Sequence, residues 1–223
     1  SSGNTQLDGA ITGSGALNVT GGVTRLLGHD DYTGGTTVSG GQLVVGTFTN
    51  MASLAGAINV SGSGGVDFQN VDLSAVTAIT SSGRVFFGGS TSAASAVITL
   101  NAGGVNQFGN ASTAGSANIT LNGAQLSFFG TASAGSATID VRSGGSLIFT
   151  LSSNAGTAAI HVASGAGVGL TADATAANAT LNLDSGAFLT LSTNGDANVG
   201  AINGAGTIVL SATILVIGGD NAG

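Results

Sequence analysis

The sequence predicts an all-β protein, a parallel β-helix (solenoid) of about ten coils with a period near 21 residues. Three observations carry that expectation. Short runs of alternating apolar residues recur about every 21 positions. A turn rich in Gly, Asn or Ser follows each run. No stretch shows the 3.6-residue apolar stripe that a helix needs over ten or more positions. Forty glycines in 223 residues would weaken such a helix further.

The regular coils run through residues 58–210. Ile98 opens ITLNAGGVNQFG, Ile119 ITLNGAQLSFFG and Ile139 IDVRSGGSLIFT. Ile160 opens IHVASGAGVGLT, Leu181 LNLDSGAFLTLS and Ile202 INGAGTIVLS, a nearly constant step from each start to the next. Upstream, Ile79, Ile58 and Val38 continue the series at the same spacing. Ile11 stands further from Val38 than one such step, which predicts an insertion there.

Each unit opens with a stretch such as Ile119-Thr120-Leu121, which puts Ile and Leu on one face and Thr on the other. A corner such as Asn122-Gly123 or Ser143-Gly144-Gly145 follows, built from residues that tolerate positive φ. A second alternating stretch comes next, as in Leu126/Phe128 and Leu147/Phe149. A small-residue link then leads onward: STAGSA at 112–117, ASAGSA at 132–137, SNAGTA at 153–158. Such a unit cannot bury its apolar face alone, so neighbouring coils must stack at about 4.8 Å, giving a rod of roughly 45 to 50 Å. Ala114, Ala117, Ala134, Ala137, Ala155 and Ala158 recur at one place in the coil and are expected to face inward at a narrow section. Phe87, Phe108, Phe129 and Phe149 recur at the same step and predict an internal aromatic stack continued by Leu170 and Leu191.

Composition removes several function classes. There is no Cys, hence no disulfide scaffold, thiolate metal site or cysteine nucleophile. All ten acidic residues are Asp, and the three basic residues are Arg. That balance gives nucleic acid no electrostatic footprint. Collagen is excluded by the missing Pro and the lack of a three-residue period. Only 6% of residues are charged, against about 25% in an average domain.

Residues 21–46, GGVTRLLGHDDYTGGTTVSGGQLVVG, resemble the autotransporter-associated β-strand repeat of Gram-negative surface proteins. The likeness rests on YTGGTTVSGGQLVVG, Tyr32 to Gly46; the STAGSA-type links, ITLN and the Phe-bearing strands are also similar to repeats in such passengers. The resemblance implies a right-handed β-helix, with residues 1–223 a single passenger fragment. It further implies an export signal, a C-terminal outer-membrane β-barrel in the full-length protein, and a cell-surface or secreted location. In this family the repeat is scaffold, so no catalytic residue carries over. The function expected is therefore a structural stalk that supports adhesion or cell–cell aggregation, not an enzyme. The alternatives are a polysaccharide-cleaving β-helix and a self-assembling surface-layer or filament component. Expected partners are a surface glycan or protein, and further copies of the chain along the rod or at its ends.

No catalytic, cofactor-binding or metal-binding residue is assigned from the sequence, and no cofactor is expected. The most polar cluster, Gly28-His29-Asp30-Asp31-Tyr32, reads as a solvated corner with Tyr32 packed on a neighbouring coil. A metal or proton-transfer role for His29 with Asp30 or Asp31 is the sharper alternative. His161 alternates between Ile160 and Val162, so it faces outward, with Asp140 and Asn182 at matching positions one coil away on either side. Of the scattered Asp8, Asp67, Asp72, Asp173, Asp184, Asp196 and Asp220, Asp67 and Asp72 are the nearest pair for glycoside chemistry, which needs two carboxyls facing in a cleft. GSGG at 62–65 lacks the Asp of a calcium-binding nonapeptide. Thr99, Thr120 and Thr138 suggest a Thr-bearing face, interrupted by Asp140, His161 and Asn182.

Overall fold

The computed structural model describes residues 3–47, 49 and 51–218. It is a right-handed parallel β-helix of about ten coils with a period near 21 residues. Twenty strands stack in parallel register among the described residues. Two sides of each coil are strands; the third is a tight link in the middle coils and is reached by the longer strands Ala52–Val60, Val71–Ser81, Ala176–Leu183 and Ala197–Gly204. Side one includes Val97–Asn101, Asn118–Asn122, Thr138–Val141 and Ala159–Val162. Side two includes Val105–Phe108, Gln125–Phe128, Ser146–Phe149 and Gly167–Ala172. Along both sides the apolar members of each alternation point into the rod, where a single continuous core runs from Val19 to Val199.

The register differs from the sequence expectation in the first coils. Thr36, not Val38, pairs with Ile58, and Leu17 pairs with Thr36. Leu17, Thr36 and Ile58 thus stand at equivalent places in successive coils, and the insertion expected between Ile11 and Val38 does not exist. The chain takes its longer steps elsewhere, from Val45 to Phe68 on side two and from His29 to Ser53 on the third side. Thr36 is inward and buried because its hydroxyl is held by the Tyr32 phenol at 2.6 Å.

The same pair explains the YTGGT stretch. Tyr32 is 1% exposed and packs across the corner that leads into the strand Thr36–Gly46. A side chain on Gly34 would strike the Gly15 carbonyl at 2.4 Å, and Gly35 turns the chain with φ of +79°. Both positions therefore require glycine.

The links on the third side repeat one device. Ser92, Thr113, Ser133, Asn154 and Thr175 bridge from coil to coil. Each side chain accepts the backbone N–H two residues on, as in Gly115 N to Thr113 Oγ1 at 3.0 Å and Gly156 N to Asn154 Oδ1 at 3.1 Å. This fixes a sharp turn, and the alanines on either side of it go inward. All six recurrent alanines are fully buried, as expected from their spacing.

The aromatic stack exists with one change of member. Phe68, Phe87, Phe108, Phe128 and Phe149 stack inside, at centroid distances of 5.2, 4.1, 4.8 and 4.9 Å. Phe128 pairs with Phe108, so the inward residue is Phe128 and not Phe129. That coil is one residue shorter, and strand alternation sends Phe129 outward. Its ring tip lies over Gly109 and its centroid is 6.2 Å from that of Phe86, on the outside of the rod. Leu170 and Leu191 continue the internal column.

Candidate functional site

A central outward column runs down the strands of side one. It begins with Asn18, Thr37, Asn59 and Thr80. Thr99, Thr120, Asp140 and His161 follow, then Asn182 and Asn203. Thr138 is outward too but belongs to a neighbouring column, because it pairs with Asn118, two positions before Thr120. Parallel stacking in register is what brings these side chains into reach of one another.

The richest contacts in the column surround His161. Its Nδ1 lies 2.8 Å from Asp140 Oδ1 and its Nε2 lies 3.2 Å from Asp184 Oδ2. Asp140 also accepts Arg142 Nε at 2.8 Å. Arg142 Nη1 donates to Asn122 Oδ1 at 3.1 Å, and Asn122 Nδ2 donates to Asn101 Oδ1 at 3.0 Å. The chain of bonds crosses five consecutive coils. The matching of Asp140 and His161 follows from their spacing in sequence. Arg142 and Asp184 reach the site because each lies just beyond a strand end, at the corner, where spacing gives no direction.

Charge and hydrogen bonding set the protonation of the clasp. The bond to Asp140 does most to raise the His161 pKa above 6.5; burial opposes it, and Asp184 adds to it. For Asp140 burial favours the neutral acid, but bonds from His161 and Arg142 outweigh it and the pKa falls below 3.8. The protonated ring donates from both nitrogens. In that state His161 has no lone pair for a metal or for proton abstraction.

The corner at residues 28–32 differs from expectation in one member. His29 and Asp31 are exposed, but Asp30 is only 1% exposed. Asp30 Oδ1 accepts the backbone N–H of Ile11 at 2.7 Å, while Oδ2 is buried without a partner. Burial raises its pKa above 3.8; the Ile11 bond works the other way, and nearby Asp31 adds to the rise. His29 leans to the next coil, with Nδ1 3.2 Å from Ser53 Oγ. His29 and Asp30 thus hold opposite neighbours and do not converge. Its residue type does not mark Asp30 as buried; its alternation with Tyr32 does so only once Tyr32 is known to face inward.

The remaining acids are dispersed. Asp67 lies on side two, bonded to Gln42 and paired with Arg84. Asp72 lies on the third side, between Ser53 and Ser92, and caps the Ser74 N–H at 2.8 Å, which holds its pKa below 3.8. The corner at Asn70, with φ of 55°, separates the two carboxyls, and the structure does not bring them together. Asp173 accepts Asn194 Nδ2, and Asp8 accepts Gln6 Nε2. Asp220 lies outside the described residues.

Among the described residues, shallow hollows on the surface include three of note. One of about 120 Å³ lies between Ile11 and Tyr32, one of about 250 Å³ over Gly167 and Gly169, and one of about 300 Å³ beside Asn154 and Asn178. No His or Asp lines any of the three. Among the described residues no group of three His, Cys, Asp or Glu side chains is placed to hold a metal ion. In comparisons with known proteins the chain matches no family model, no curated protein and no solved structure.

Proposed function

We propose that this rod is a structural stalk with an adhesive outer wall, part of a passenger carried to the surface of a Gram-negative bacterium or released from it. One observation supports the reading above the others. The coils stack without a long excursion, equivalent inward positions on side one recurring at nearly even steps from Leu17 to Ile202. Length and a repeated Ser, Thr and Asn surface are what such a fold supplies most directly. The likeness of Tyr32–Gly46 to the autotransporter-associated repeat adds the export route, an outer-membrane barrel and a surface glycan or protein as partner.

Display of the chain on a non-aggregating Gram-negative host, between an export signal and an outer-membrane barrel, tests this. Cell settling or adhesion should rise with the amount displayed and persist when any single outward Asp is changed to Asn. No gain over cells that display the barrel alone contradicts the proposal. Turnover on a polysaccharide panel, lost in Asp67→Asn or Asp72→Asn, would replace it with the enzyme reading.

A further inference from the structure

Side two presents two outward columns in strict register. The leading column runs Gln42, Gly65, Arg84, Val105, Gln125, Ser146, Gly167, Phe188, Thr207. The middle column runs Val44, Asp67, Phe86, Gln107, Ser127, Ile148, Gly169, Thr190, Val209. Bulk is unevenly placed along them. Phe86 and Arg84 form a ridge, with the guanidinium 5.6 Å from the Phe86 ring centroid. Four coils further on, Gly167 and Gly169 leave the hollow of about 250 Å³, walled by Ile148 and Thr190. Phe188, 48% exposed, protrudes one coil beyond the hollow, and the buried Gly65 lies one coil before the ridge.

We propose that side two is the interface of a face-to-face dimer, with a second copy of this chain running antiparallel and the two-fold axis along the coil of Gln125, Ser127 and Phe129. Ridge and hollow each lie two coils from Ser127, so this one operation seats Phe86 over Gly169 and Arg84 over Gly167 of the other copy. The same operation places Phe188 opposite Gly65 and Val44 opposite Val209. All three glycines of the two columns then face the three bulkiest groups. An isologous contact needs this kind of self-complementarity.

Charge favours the same face. The chain carries a formal charge of -7, yet the nine facing coils present only Asp67 and Arg84, already paired with each other. Two copies meet here with less repulsion than on a face bearing unbalanced carboxylates. Nine coils at about 4.8 Å and a width of about 15 Å bury roughly 600 Å² per copy, close to 1,200 Å² in all, which clears the ~1,000 Å² expected of a specific interface.

The chain has no Cys, so a single engineered thiol reports position cleanly. Packed sheets lie about 10 Å apart, too far for a direct disulfide between Ser127→Cys positions but within reach of a short bismaleimide. The expected result is a dimer by sedimentation equilibrium at micromolar chain, and S127C cross-linking at least tenfold faster than Thr37→Cys on side one. Gly169→Lys should give a folded monomer, since nothing lies within 4 Å of the added Cβ. A monomer at all concentrations overturns the proposal. So do polymers without a limiting size, T37C cross-linking as fast as S127C, or a G169K variant that still dimerises.

Discussion

His161 is held between two carboxylates on three successive coils, and its titration reports that contact. With a folded pKa above 6.5, its stabilising contribution is complete below pH 6.5 and is lost as pH rises through the raised value. Asp140, with its pKa below 3.8, contributes above 3.8 and loses that contribution as pH falls through the lowered value. The clasp is thus strongest between those limits. His161 is 46% exposed, so its effect on stability is screened and small, about 1 kcal/mol or less. A proton NMR titration should place the His161 pKa above 6.5, and lower in Asp140→Asn than in Asp184→Asn. An unshifted value, or the opposite order of the two variants, contradicts the assignment. The pairing of Asp140 with His161 is legible in the sequence because both sit mid-strand, where one repeat step puts one above the other. The burial of Asp30 is not, because three adjacent polar residues look alike until the neighbouring coil shows which one turns inward.

The strands and corners show where repeat spacing stops being enough. Phe128 and Phe129 are adjacent, and the repeat step suits either. Only the alternation from Leu126 decides for Phe128. The first coils show a similar ambiguity of two positions. Val38 and Thr36 are both inward, and Thr36 looks polar until its bond to Tyr32 is seen. The corners after the Phe stack carry a further regularity that spacing does not reveal. Asn70, Asn110, Leu151 and Ala172 all adopt positive φ at equivalent places, where only the two asparagines advertise it. The two adjacent phenylalanines separate inside from outside energetically. Phe128→Ala should cost about 3–5 kcal/mol in urea unfolding, as a core cavity does. Phe129→Ala, which removes a half-buried outer ring, should cost well under half as much. Equal losses would mean that the internal stack is wrongly placed.

At the scale of the molecule, each coil is held by its neighbours above and below and by almost nothing beyond them. The fold class, the coil count and the inward alanines can be read from the repeat because stacking makes every unit obey one pattern. A binding or catalytic constellation cannot, because outward residues are under no such constraint and their meeting depends on register. Leu210, stacked on Leu191 in the last side-two rung described, is 45% exposed. The central claim is that the rod is a stack of interchangeable coils, and deleting one coil in register tests it most directly. Asn154 takes the place of Ser133 one turn on, so removing positions 133–153 joins equivalent points. The account predicts a cooperatively folded β protein, shorter by about 4.8 Å in solution scattering. Removal of positions 133–142 alone should abolish folding, since it joins the third side to a side-two corner. An unfolded product from the full-coil deletion, or a folded one from the partial deletion, would contradict the account.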